Sequence, residues 1–261
     1  MKKWFFILGV AIFLSACAST DAAGVASPAR PPAAGARLSG LFSANPQSGT
    51  MTVIGVAGRQ MRRDDEVGFA KIHAAELVAM FHGMSGTMAT QHRAGVDFFS
   101  WILDSNITLQ HTVNHEQFID QLQFDPNRDV FRHDGGTLVH FTFSANVPPV
   151  NIVHSADAGG RPEWTRNRNL PVVPGYNVAV GVARRQMRER DAIMRSAQAT
   201  VARLIMDTNT VIESMVIDYS GAAPVTYIRS SSSGMVNGFR VLEFWINPET
   251  GDVFTLGVAR R

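Results

Sequence analysis

Cysteine is almost absent from this chain: Cys17 is the single one in 261 residues. No intramolecular disulfide can form, so stability must come from packed apolar cores even in an oxidising compartment. Lysine is nearly as scarce, occurring only as Lys2, Lys3 and Lys71, which all but removes the residue class of a lysine nucleophile. Charge of one sign is lacking too, because 24 basic residues face 22 acidic ones for a formal net charge of +2. The arginines form no basic patch with interleaved aromatics, which argues against nucleic acid as a partner. Beyond residue 17 there is no long apolar run, hence no second candidate for a membrane-spanning helix. The dinucleotide fingerprint Gly-x-Gly-x-x-Gly, the phosphate-loop Gly-Lys pair and the zinc motif His-Glu-x-x-His are all missing.

What is present begins at the amino end. Lys2 and Lys3 precede an apolar run over residues 4–14 that is too short to span a bilayer and reads as a signal sequence. It closes on Leu14-Ser15-Ala16-Cys17, a lipobox pattern in which small residues admit a peptidase and the thiol accepts a diacylglyceryl group. The one cysteine thus stands where that chemistry needs it, and Cys17 is the expected lipid-attachment site. Similarity to bacterial lipoproteins implies several acyl chains there, each buried CH₂ contributing about 0.8 kcal/mol, so that anchoring is effectively permanent. Ala18 rather than Asp follows, which by the same resemblance implies the outer membrane. Residues 17–48 are rich in Ala, Gly, Pro and Ser and poor in large apolar side chains. They read as a flexible tether of about 30 residues, spanning roughly 30 Å.

The rest of the chain repeats itself. "GVAGRQMRRDD" over residues 55–65 returns as "GVARRQMRERD" over residues 181–191, from 55 to 181, a spacing of 126. Each phrase follows a β-branched stretch and precedes an amphipathic helical pattern. Ala70, Ala74, Leu77, Val78 and Phe81 share one helix face, as do Ala197, Val201, Leu204 and Ile205. These faces align best from 70 to 197, a spacing of 127, which places a one-residue shift near the helix start. Asp64, Asp65, Glu189 and Asp191 suit helix amino-termini. Extended runs follow each helix. The clearest is residues 239–261, where Leu242, Phe244 and Ile246 alternate before Asn247-Pro248-Glu249-Thr250-Gly251, and Phe254, Leu256 and Val258 resume: a β-hairpin with a bulged loop. The expected fold is α+β. Two tandem related modules, residues 49–150 and 175–261, each place a helix on a small antiparallel sheet in strand-helix-strand-strand order. They are joined by a Pro-, Gly- and Asn-rich linker at 151–174 and preceded by a signal peptide at 1–16.

The Gly-Val-Ala strand end, the Ala-rich helix "RDAIMRSAQATVARLI" and the closing "WINPETGDVFTLGVAR" resemble the twenty-kilodalton bacterial outer-membrane lipoprotein family, which includes lipoproteins of flagellar basal structures. The second copy carries the likeness more fully than the first. The resemblance implies an envelope lipoprotein and supplies no catalytic residues.

No set of side chains assembles a reaction centre in the sequence. Gly83-Met84-Ser85-Gly86 lacks the Gly-x-Ser-x-Gly spacing of a nucleophile elbow and reads as a polar helix exit. Residues 230–233, four serines, read as a polar loop or an edge-strand segment. His111 and His115, with Glu116 beside them, would bind zinc only on a helix, whereas on a strand their spacing merely puts two rings on one face. His133-Asp134 reads as a surface pair, His73 and His82 as solvent-facing or boundary residues, and His140 as the polar side of a strand. The doubled phrase itself would cradle phosphate poorly, since acidic residues at the helix start repel an anion. No catalytic, cofactor or metal site is expected. The expected role is non-enzymatic: a periplasm-facing outer-membrane lipoprotein, held to the membrane by its lipid, that acts in envelope assembly or as an oligomeric scaffold through protein partners or self-association, a flagellar role being one version that the resemblance implies. The alternative is a binding or regulatory module for peptidoglycan, a lipid or an envelope enzyme.

Overall fold

A computed structural model describes residues 38–44, 50–94, 100–145, 147–150, 152–153, 155–166, 170–208, 210–218 and 225–261. Cys17, the signal sequence and most of the expected tether lie outside the described residues. In chain order the elements are β1 (Gly40–Ser43), β2 (Thr50–Gly58), α1 (Asp65–His82), β3 (Met84–Ala94), β4 (Ser100–His111), a 3-10 turn (His115–Gln121), β5 (Val130–His133) and β6 (Gly136–Ser144). A second 3-10 turn (Glu163–Arg166), β7 (Tyr176–Ala183), α2 (Glu189–Thr208), β8 (Thr210–Asp218), β9 (Val225–Val236), β10 (Arg240–Ile246) and β11 (Val253–Arg260) follow. The strands form three antiparallel sheets, ordered β1-β10-β11-β7, β2-β6-β5 and β4-β3-β9-β8. The class is α+β.

One order of elements occurs twice. A strand and a helix are followed by a long hairpin and then a shorter one, whose last strand returns beside the first. β2 pairs β6, and β7 pairs β11; Ala57 faces Thr137 as Ala183 faces Val253. Four strands follow each helix rather than the two or three that the alternation suggests. The additional hairpins, β3-β4 and β8-β9, leave their own halves and join each other, β3 against β9, in the third sheet.

The first glycine of each doubled phrase explains why the phrase persists. A Cβ on Gly55 would strike the carbonyl oxygen of Ala70, and one on Gly181 would strike that of Ser196. Each strand crosses its helix so closely that only hydrogen fits. Both contacts, and the starts of β3 at Met84 and β8 at Thr210, keep the spacing of the phrase, so the one-residue shift expected at the helix start is not present.

The core runs through both halves. Buried side chains of β2, α1 and β6, among them Val53, Ala74, Val78 and Phe141, share one cluster with Ala197, Val201 and Ile205 of α2. A second cluster combines Ile54, Val56 and Leu138 with Ile193, Phe244 and Val253. Into it run Leu38 and Phe42, the latter stacked on Phe244 at 4.8 Å. The segment expected to be tether through residue 48 therefore contributes an edge strand at Gly40–Ser43. It spans from one half to the other because its apolar side chains have a groove to fill.

The hairpin of β10 and β11 closes as expected. Asn247 N–H donates to Asp252 at 2.9 Å, and Gly251 takes φ 74°. The one-face alternation does not hold, for a register shift between Val241 and Glu243 interrupts it. Both faces are covered, since Phe244 and Ile246 meet one cluster while Trp245 and Leu256 pack with Trp164 in another. The residue 151–174 stretch expected as linker provides that second cover. Trp164 is fully buried and donates its indole N–H to Glu243 Oε2 at 3.0 Å.

Candidate functional site

The two phrases meet again at a cleft of about 1190 Å³. Strands β2 and β7 deliver Ala57-Gly58-Arg59-Gln60 and residues 185–190 to its walls, and Ile246, Asn247, Pro248 and Glu249 of the last hairpin form a third side. Met61 and Met187, equivalent within the phrase, stand fully exposed. Arg59, Arg185 and Arg188 are exposed on the rim, with the half-exposed Phe69 beside them. The chemistry available is recognition by guanidinium groups, amides, one ring and the carboxylates of Glu189 and Glu249. Among the described residues the lining contains no histidine, cysteine or aspartate.

The amino end of α1 shows why the phrase is not a phosphate cradle. Glu66 is fully buried there and accepts from Gln60 N–H at 3.1 Å, from Arg63 Nη1 at 2.8 Å and from the Thr137 hydroxyl. Burial by itself would raise its carboxyl, but the Thr137, Gln60 and Arg63 donors outweigh it and hold the group below the usual carboxylate value. A carboxylate of the protein already occupies the donors an anion would need. At the second phrase Glu189 meets groups from elsewhere in the chain: Oε1 accepts from Leu38 N–H at 3.2 Å, and Oε2 lies 4.0 Å from His133 Nε2.

The histidines are placed differently from expectation in two cases. His73 is completely buried in α1, where Nδ1 accepts from Val56 N–H at 3.0 Å. Burial, with Arg190 nearby, pushes its imidazole down to about 3. It is not a boundary residue, because it caps a backbone donor of β2 that the helix covers. His133 is likewise buried, its Nδ1 accepting from Gly135 N–H at 3.1 Å, while only Asp134 of that pair is exposed. His82 stacks on Phe118 at 4.5 Å, and His140 meets Phe131 at 5.3 Å.

His111 ends β4 and His115 opens the 3-10 turn, so no single helix carries both. Burial lowers His111, His115 adds to the shift and Glu76 opposes it. Among the described residues no group of three or more His, Cys, Asp or Glu is arranged to hold a metal.

Two serine-bearing segments are also corrected. Gly83 ends α1, and fully buried Met84 starts β3 at once, so that stretch is a strand start rather than a polar exit. The four serines lie in β9, an interior strand paired on both sides, with Ser230 and Ser232 buried. Small side chains suit the face of β9 against which α2 packs.

The sequence reading missed the Glu66-Arg63-Thr137 cluster and the Trp164-Glu243 bond. One signal was available for the first. At the spacing of the phrase Glu66 corresponds to Ala192, and a carboxylate where the other copy has alanine marks a local polar partner. Neither a protein family, nor a curated protein, nor a solved structure matches this chain.

Proposed function

We propose that this chain is an outer-membrane lipoprotein, anchored through Cys17, that works on the periplasmic side as a non-enzymatic assembly or scaffold component of the envelope. Two copies of one ancestral strand-and-helix unit form its body, and a flagellar version fits the family resemblance. The observation that carries the reading is the sheet β4-β3-β9-β8. Each half contributes a long hairpin to it, and both of its terminal strands keep one edge free of any strand among the described residues. Long unpaired edges are surfaces that recruit further strands. The lone cysteine in its lipobox supports the anchor.

The anchor is tested by fractionating cells that carry Cys17→Ser. The variant is expected to leave the membrane pellet for the soluble fraction, and full retention in the pellet would refute lipid attachment. In-cell crosslinking of the unaltered chain tests the scaffold role, and a chain that remains monomeric without envelope partners would refute it. A second reading, a binding or regulatory module, is favoured by the cleft that both phrases line. Its test is saturable binding of one envelope component, such as peptidoglycan fragments, that weakens in Arg185→Ala.

A further inference from the structure

We infer that copies of this chain join head to tail through the free edges of β4 and β8, extending one antiparallel sheet from subunit to subunit until it closes as a ring. The inference rests on the scaffold reading and specifies its partner as a second copy of the same chain.

The molecule already contains one such joint. By position in the doubled order, β3 corresponds to β8, the strand after the helix, and β4 corresponds to β9. The two halves do not meet through like strands. β3 pairs β9 in register from Met84 opposite Val236 to Ala94 opposite Thr226. A first-type edge has met a second-type edge. Among the described residues, what remains unpaired is therefore one edge of each type, β8 of the first and β4 of the second. Had β3 met β8, two edges of the same type would remain, and only a closed pair would follow. The joint observed is heterologous, and a heterologous joint repeated between molecules gives a ring or a filament.

Strand direction agrees. The sheet is antiparallel throughout, and its four strands alternate so that β4 and β8, at opposite ends, run in opposite directions. A neighbour brought up in the same orientation sets its β4 antiparallel to β8, continuing the alternation without reversal. β8 offers 9 residues and β4 offers 12, lengths comparable to those of the internal joint. Ile107 on β4 is 45% exposed, an apolar side chain on a strand with no neighbouring strand on its far side among the described residues. The twist of a long sheet bends it toward closure, and closure removes every edge. Cyclic symmetry also puts all amino-termini on one side of the ring, the arrangement that lipids in a single leaflet require. β2 and β7 end their own sheets as well, but the described residues contain no joint of that kind to repeat.

Disulfide trapping in the full lipidated chain tests this directly, because Cys17 is the only native cysteine and lipidation blocks it. One cysteine is placed on β4 (Ile107→Cys or Thr108→Cys) and one on β8 (Met215→Cys or Val216→Cys), in all four pairings and as single variants. Within a subunit β4 and β8 are three strand spacings apart, about 14 Å at about 4.8 Å each. That exceeds the roughly 7 Å reach of a disulfide, so any bond formed is between molecules. Oxidised membranes carrying at least one pairing should show a ladder of dimers, trimers and higher species that is lost in every single variant. Dimers in the single variants would mean like edges meet and would overturn the inference. The absence of a ladder in all four pairings would overturn it as well. In that case, crosslinks from β4 to other envelope proteins would leave the scaffold reading standing, and a chain with no partner of any kind would remove both.

Discussion

Glu66 and Thr137 occupy positions that the second half fills with Ala192 and Val253. The strand partners are equivalent, Ala57 opposite Thr137 and Ala183 opposite Val253. The same backbone thus tolerates either a hydrogen-bonded carboxylate or an apolar pair at one buried place. A buried polar group is favourable only when its partners are complete, and removing one partner costs more than replacing the whole set. Glu66→Ala alone is expected to lower stability by about 2 kcal/mol, since it strands the Thr137 hydroxyl and the Gln60 N–H, while Arg63 keeps the carbonyl oxygens of Gly136 and His133. Adding Thr137→Val should recover about 1 kcal/mol of that loss. Urea midpoints of the two single variants and the double variant check the cycle; strictly additive losses would show that the second half is no guide to the first. Gly55 and Gly181 were legible as repeated letters, but their reason was not. It lies in the carbonyl oxygens of Ala70 and Ser196, fifteen residues on in each case, which only the packed helix brings near.

Among the elements, the segments read as connectors turn out to hold the sheets together. β1 adds an edge to β10, and Ser43 Oγ donates to Glu243 Oε1 at 3.2 Å. Trp164, from the stretch between the halves, reaches the other oxygen of the same carboxylate. Arg161 lies over the Trp245 ring at 5.6 Å and the Phe254 ring at 5.3 Å, so the cover is fixed by cation-π contact as well as by burial. Trp164→Ala is expected to cost about 3–5 kcal/mol, the range for emptying a buried aromatic site. Trp164→Phe, which keeps most of the volume and loses the N–H, should cost about 1–2 kcal/mol. Guanidinium unfolding separates the two, and equal losses would mean the bond to Glu243 outweighs the packing. The strand character of β6 and β11 could be read because it is a local pattern, although both faces of each are largely buried. One-face alternation failed for β10, where Trp245 and Glu243 are buried as well as Phe244 and Ile246. The cover that buries them comes from residue 164, nearly eighty positions away.

For the whole molecule, burial of histidines ties stability to pH, and His73 in α1 is the most deeply enclosed of those it lowers. An unfolded His73 would take its proton near the ordinary 6.5, whereas the buried ring in the native fold resists until about 3. Between those values the unfolded chain binds a proton that the native chain refuses, so stability falls as pH falls, by up to about 1.4 kcal/mol per unit. Burial lowers His82, His111 and His140 in the same sense. In His73→Gln the decline between pH 6.5 and 4.5 should be shallower by about one proton's worth, even if the variant is weaker at neutral pH; urea titrations at several pH values measure the slope, and an unchanged slope would place the acid sensitivity elsewhere. The α+β class, the doubled phrase and the last hairpin were determined by the sequence alone, because periodicity, turn chemistry and repetition are written in neighbouring residues. Which hairpins leave their own half, which strand meets which across the joint, and which histidines lose their water were decided only by the tertiary structure. Those outcomes depend on surfaces that come into contact after the local elements exist, and no short window of residues encodes them.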